Sequence, residues 1–507
     1  MSVNGYSNPV IPGFFPDPSV TRVGEDYYLV TSSFEYFPGV PIFHSRDLVS
    51  WQQIGHVLTR KSQIDMASRN SSEGIYAPTI RYHNGLFYMV TTDVYGIGNF
   101  YVTASNPSGP WSDPIVLPYG NIDPSFMFDD NGKVYVTVQQ GSDYDSHIIQ
   151  YEIDPSNGKA LCEPVVIFRG DEGPWVEGPH LYKINGAYYL IAASGGTGRQ
   201  HREIAARSSQ PCGPFELLSH PILTHSGLPE HPIQNVGHAE LFEDQQGNWW
   251  SVFLGVRPVR GEYSILGRET FLAPVRWSED GWPLIDYNEG LVQLEMPSDK
   301  RNKDTMKLNQ LWRDDFLDET LSREWSFLRS DVTDLCDLIE RKSWLALRGN
   351  AHTLNDAAPA LFVCRRQQHI EMSASTLMSF VPIRDGQEAG LAARLSDKAH
   401  FDIALLREQG VNYLVCKQTD QGKTVETYRV QMDADHVYLA IHSTESQYDL
   451  MYSTNGSDWI TADHADSAIL SAERNWCFTG VCIGMYATGN GVTAASSAYF
   501  DYFQYES

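Results

Sequence analysis

Through roughly the first 295 residues, short apolar runs rich in aromatics alternate with tight polar turns, and helical 3.6-residue periodicity is scarce. Runs such as 26–31 and 186–191 read as strands. Asn84-Gly85, Asn131-Gly132, Asn185-Gly186 and Gln246-Gly247-Asn248 read as the turns between them. Asn-Gly between two apolar runs favours a type I′ hairpin, because both residues tolerate positive φ.

The strands recur in units with similar openings: Phe14-Phe15-Pro16-Asp17-Pro18-Ser19, Tyr76-Ala77-Pro78-Thr79, Ile122-Asp123-Pro124-Ser125, Val176-Glu177-Gly178-Pro179-His180 and Val236-Gly237-His238-Ala239-Glu240. A turn and an aromatic pair or near-pair follow each one. The second aromatic comes 11 residues after Asp17 and Ala77, and 12 after Asp123, Glu177 and His238. Repetition of strands and turns at spacings of 60, 46, 54 and 61 residues predicts a β-propeller of five blades. Residues 1–297 are assigned to it. The charged, proline-bearing stretch that follows predicts a linker over 298–309. From 310 to 507 the texture shifts to longer strands with polar turns, which predicts a jelly-roll β-sandwich. The expected fold class is all-β.

Composition narrows the partners. The formal charge of 37 − 63 = −26 argues against nucleic acid, which needs clustered Lys and Arg. No apolar run approaches a membrane span. Seven cysteines without a CxxC pair suggest neither a disulfide framework nor a zinc site, and fit reduced thiols. The start at Met1 shows no basic segment followed by an apolar stretch, so a cytoplasmic protein with a small imported substrate is expected.

In a propeller, equivalent positions near one end of the innermost strands converge on the axis. Positions 17, 77, 123, 177 and 238 bring Asp, Ala, Asp, Glu and His. Asp17 or Asp123 alone, before Pro-Ser, reads as a turn cap. Three acids in register with a repeat are costly unless used, because like charges raise one another's pKa. Two such carboxyls suit glycosidic-bond cleavage, one protonating the leaving oxygen and the other activating water or attacking carbon. Glu177, after Trp175 and Val176, is the better proton donor. Asp17 is the better anionic base, and Asp123 is the third acid, keeping Glu177 protonated and orienting it.

These motifs resemble glycoside hydrolase family 43, five-bladed propellers acting on xylose- and arabinose-containing glycans. Phe15-Pro16-Asp17-Pro18-Ser19 is similar to the family's general-base motif, Ile122-Asp123-Pro124-Ser125 to its pKa-modulator motif, and Glu177-Gly178-Pro179-His180 to its general-acid motif. The resemblance implies inversion in one displacement, with the Asp17 and Glu177 carboxyls about 6.5–9.5 Å apart. It implies substrate contacts by Phe34, Tyr76, Ala77, Thr197, His238 and Arg268, with Tyr76 standing where the family usually has Trp. Arg268, a fixed cation among acids, can also hold Asp17 as an anion. His238 resembles the family histidine beside a channel ion or water cluster. No cofactor is implied for the chemistry, while a calcium ion held mainly through water at His238 is allowed.

The second domain resembles the concanavalin-like sandwich of the family's β-xylosidase branch. Trp476-Cys477-Phe478-Thr479-Gly480 is similar to a loop reaching over the propeller mouth, so Phe478 is expected to wall the leaving-group subsite. A closed pocket recognises chain ends. The expected activity is therefore exo-acting release of D-xylose from 1,4-β-xylo-oligosaccharides. An α-L-arabinofuranosidase, or one enzyme with both activities, is the alternative. The resemblance also implies a homo-oligomer. A retaining fructosidase is set aside, because its Asn-Asp-Pro-Asn opening is absent. A non-catalytic glycan-binding propeller leaves three acids without use.

Overall fold

The computed structural model describes residues 5–285, 291–297 and 311–507. The linker expected over 298–309 lies outside the described residues. Five separate antiparallel sheets follow one another in the chain as the blades. Their first strands are Ser19–Val23, Thr79–His83, Ile122–Phe128, Glu177–Ile184 and Gln234–Glu243. Each first strand contacts those of the two adjacent blades, and the contacts close a ring of five around the axis. In blade 1 the order is Ser19–Val23, Asp26–Val30, Gly39–Ser45, Gln52–Leu58, a simple meander from axis to rim.

The ring closes through the N-terminal segment. Asn8 exchanges side-chain hydrogen bonds with the backbone of Leu272 in the last blade (2.9 and 3.0 Å), and the Tyr6 hydroxyl donates to the same carbonyl at 2.9 Å. Gly5–Ser7 pairs with Glu295–Pro297. Both chain ends of the propeller are thereby tied to blade 5.

Turn chemistry follows the sequence in part. Asn84-Gly85 (φ 50° and 86°) and Asn185-Gly186 (φ 51° and 83°) form the expected two-residue turns. Asn131-Gly132 does not. There, Phe128 pairs with Val134 across five residues, the Asp129 carbonyl accepts the Gly132 N–H, and only Gly132 has positive φ. Asp244 to Asn248 in blade 5 repeats this longer turn. In both, the aspartate caps its own turn, favouring a wider loop over the type I′ form.

The second domain stacks a nine-stranded sheet on a six-stranded one. Phe362–Arg366, Cys482–Thr488, Glu388–Ser396, Ala399–Glu408, Val411–Asp420 and Lys423–Gln431 make the smaller sheet, and their inward residues share one core with the larger. Helix is limited to Ala472–Asn475 and three single 3₁₀ turns among the described residues. No helix among them is long and apolar enough to cross a membrane.

The two domains dock tightly. Phe327–Leu328 adds a strand to Tyr36–Phe37 of the propeller. Beneath it, Arg329 and Arg394, both fully buried, hold Asp397 at 2.6 and 2.5 Å, and Arg394 reaches propeller Glu35 at 3.6 Å and Tyr36 at 3.2 Å. Glu35 adjoins Phe34, so this ion cluster anchors the residue that the family resemblance places in the sugar pocket.

Candidate active site

The strand openings converge on the axis as expected, but by a particular backbone device. Asp17, Asp123 and His238 adopt positive φ (55°, 57° and 51°), a conformation in which Asp and His are less disfavoured than most residues. Register shifts interrupt the ladder at the openings of blades 3, 4 and 5. Such bulges re-aim side chains, here away from the sheet and toward the axis.

Blade 4 departs from the sequence register. Ser19, Thr79, Ser125, His180 and Glu240 pair with Val30, Val90, Thr137, Ile191 and Val252, so these five are equivalent. Two residues earlier stand Asp17, Ala77, Asp123, Gly178 and His238. The equivalent of Asp17 is thus Gly178 (φ 57°), and Glu177 precedes it by one residue. A Cβ at 178 would lie 3.0 Å from the His238 ring, so glycine is what lets the imidazole and the Glu177 strand meet.

Around these positions the side chains form one charged cluster. Asp17, 4% exposed, accepts the Ser32 hydroxyl at 2.5 Å and the Arg268 guanidinium at 3.1 Å. His238 Nδ1 stands 3.9 Å from Asp17 Oδ1. Asp123 accepts the Gly178 N–H at 3.1 Å. Burial pushes Glu177 up to about 7; the Arg268 cation opposes the rise and the Asp17 charge adds to it. Asp123 rises well above the carboxylate range through burial, the Glu177 charge and the Asp17 charge, against its Gly178 hydrogen bond and Arg268. The Glu177 charge thus opposes ionisation of Asp123, and the two carboxyls titrate as a pair. Burial lowers His238, with Asp17 opposing, so it stands as a neutral imidazole at neutral pH.

Aromatic residues wall this cluster. The Phe34 ring lies 5.0 Å from Tyr76 and 5.9 Å from Phe478, and the Arg268 guanidinium sits 5.5 Å over Phe478 and 5.7 Å over Phe34. The sandwich thus contributes Phe478 to a site built on the propeller. Its loop gets there through a glycine contact: a Cβ at Gly480 would fall 2.3 Å from the Leu266 carbonyl, beside Gly267 and Arg268. Among the described residues, the Arg268 Nε and the Thr197 hydroxyl are buried without a protein partner, leaving a donor and a hydroxyl for a polar ligand. Ala77 is buried and supplies only space where the neighbouring blades present acids.

Two residues at the site went unmarked in the sequence. Ser32 orients Asp17. Ser72 is a hub: its N–H donates to Glu35 at 2.9 Å, its hydroxyl accepts the Phe478 N–H at 2.9 Å, and its carbonyl accepts the Tyr76 hydroxyl at 2.9 Å. Nothing local distinguishes these serines from turn residues, because their partners lie up to 406 positions away. Trp175 (φ 54°) lies beside Gly196, between the Glu177 strand and the Thr197 loop.

Among the described residues no group of three or more His, Cys, Asp or Glu side chains is placed to hold a metal ion. These side chains offer no protein cage for calcium; the ion expected beside His238 is one held mainly through water.

Two buried acids, a half-buried third and an arginine, closed over by aromatic residues from two domains, point to carbohydrate chemistry, and comparison with known proteins agrees. Residues 6–283 match the family model of glycosyl hydrolases family 43, and residues 313–506 match that of the β-xylosidase C-terminal concanavalin A-like domain. The chain belongs to glycoside hydrolase family 43. It is 41% identical to a non-reducing end α-L-arabinofuranosidase of Bacteroides ovatus over 99% of this chain and 94% of the relative. It is 34% identical to a xylosidase/arabinosidase of Butyrivibrio fibrisolvens over 99% of each. Among solved structures, a family 43 protein of the Bacteroides ovatus xyloglucan locus superposes with a TM-score of 0.94 at 40% identity, covering 99% of each chain. A xylan β-1,4-xylosidase from Bacillus halodurans superposes at 0.89 and 34%, covering 99% of this chain and all of the other. Family 43 enzymes of both pentose specificities thus share this whole two-domain architecture.

Proposed function

We propose that this family 43 hydrolase releases D-xylose from the non-reducing ends of 1,4-β-xylo-oligosaccharides with inversion. Asp17 is the general base, Glu177 the general acid, and Asp123 the third carboxyl that keeps Glu177 protonated. Water bound at Asp17 gives its proton to that carboxylate and attacks the anomeric carbon. Glu177 protonates the departing glycosidic oxygen as the bond breaks. The two protons then re-equilibrate with solvent. An inverting displacement needs about 6.5–9.5 Å between the two carboxyls to admit the water.

The observation that carries this reading is the contrast between two carboxyls, buried Asp17 and half-buried Glu177. Asp17 is gripped by Arg268 and Ser32, while Glu177, pushed up to about 7, retains a proton to donate near neutral pH. Arg268, Thr197 and His238 are the proposed partners of sugar hydroxyls. Phe34 and Tyr76 bound the terminal sugar, Ala77 leaves it room, and Phe478 walls the leaving-group side. The sandwich loop over the mouth favours exo action on short chains.

A second reading, an α-L-arabinofuranosidase, is favoured by the 41% identical relative of that activity. Rates on the p-nitrophenyl β-D-xyloside and α-L-arabinofuranoside decide between the two. Faster xyloside turnover is expected, and negligible xyloside turnover beside fast arabinofuranoside turnover would replace the first reading with the second.

A further inference from the structure

A cavity of about 830 Å³ lies where the N-terminal segment, the outer part of blade 1 and the sandwich meet, and none of the three acids lines it. Its polar lining is strongly cationic for a chain of net charge −26: Arg257, Arg365 and Arg366 face one carboxylate, Glu324. Two of the arginines have hydrogen-bond partners in the protein. Arg257 makes a bidentate pair with Glu269 at 2.7 and 2.8 Å. Arg365 lies between the Trp312 and Tyr505 rings, at 4.3 and 4.7 Å, and donates to Gln368 through Nη2, while its Nε and Nη1 are buried without a hydrogen-bond partner among the described residues. Glu324 accepts the Trp312 indole N–H at 2.5 Å.

Arg366 is different. It is only 7% exposed, and its guanidinium rests 4.3 Å over Phe15 and 5.0 Å over Phe14. Among the described residues it has no hydrogen-bond or ion-pair partner. Burial brings it down to about 10, which leaves it a cation at neutral pH. Its field is felt nearby: burial, and then Arg366, lower His56 to about 3, so that imidazole is neutral. A buried guanidinium without an anion is costly, and guanidinium geometry suits carboxylate and phosphate oxygens.

We propose that this cavity binds a small sugar-like oxyanion, a carboxylate or a phosphate on a carbohydrate body, with the charged group on Arg366 and the body against Trp51 and Trp312. The volume suits such a ligand, and both indoles line the cavity. The reading is independent of which pentose the active site takes.

Calorimetric titration of the full chain with D-glucuronate, D-glucose 6-phosphate, inorganic phosphate and neutral D-glucose, at matched ionic strength in chloride, tests it. Binding of glucuronate or of glucose 6-phosphate, without binding of glucose, is expected, and which of them binds identifies the charged group. Arg366→Met should weaken that binding about tenfold or more. Should that variant fail to fold, Ser50→Glu, at an exposed position on the cavity lining, must weaken binding on its own. The proposal is overturned if neither sugar anion binds, if inorganic phosphate alone binds, or if the variant that folds binds as tightly as the parent.

Discussion

Arg268 donates to Asp17 at 3.1 Å, joining a cation just before the third strand of the last blade, Glu269–Trp277, to the carboxylate that opens the first, 251 residues earlier. The same guanidinium lies over Phe478 of the sandwich and opposes the rise in the Glu177 pKa. Arg268→Met is therefore expected to lower kcat/KM by about 10²–10³-fold, as removal of a charge-stabilising donor does. It should also move the basic limb of the pH–rate profile upward, because a cation that favours the Glu177 carboxylate has gone. A fall in rate with an unmoved basic limb would argue against the electrostatic link.

Glu177, pushed up to about 7, fixes the pH window. A general acid acts only while protonated, so kcat/KM is expected to decline as pH rises through about 7. Glu177→Gln should cost about 10²–10⁴-fold on xylobiose and abolish that decline. The loss should be smaller on aryl glycosides, whose leaving groups need less protonation. Equal losses on both substrates would contradict the assignment.

Asp123→Asn keeps the shape and leaves an oxygen to accept the Gly178 N–H, but removes the carboxyl whose ionisation the Glu177 charge opposes. The sign follows from that mutual opposition: an amide at 123 can carry no charge against the Glu177 carboxylate. The basic limb should shift downward, and a pH–rate profile on xylobiose reads it directly. An upward shift would show that Asp123 acts as something other than a charge on Glu177.

Arg394→Met tests the docking cluster. It removes a buried guanidinium from both Glu35 and Asp397 and leaves Glu35 without it. Breaking a buried ion pair from one side typically costs about 3–5 kcal/mol. Urea unfolding should reveal a loss of that order, together with weaker turnover, since Glu35 and Ser72 set Phe34 and Phe478. A change within about 1 kcal/mol, as for an exposed pair, would mark the cluster as dispensable.

Much of this was legible because a repeat exposes what single motifs conceal. Asp17 and Asp123 look like turn caps until the other openings align with them; the five blades follow from the same repeat, and the sandwich from the longer strands that replace it after residue 310. The one-residue offset at Glu177 was also within reach. Blades 3 and 5 gain their twelfth residue from five-residue turns at Asp129 and Asp244, whereas blade 4 turns at Asn185-Gly186 in two. A gap of 11 in blade 4 points to Gly178. The Arg394–Asp397–Glu35 cluster and the Ser72 hub could not be read, because long-range contacts alone give those residues their roles.

The central claim is a single displacement between Asp17 and Glu177. The most direct test is proton NMR of the sugar released early in hydrolysis of p-nitrophenyl β-D-xyloside, before mutarotation. α-D-xylose appearing first is the predicted result; β-D-xylose appearing first would contradict it and reassign one of the two carboxyls as a nucleophile.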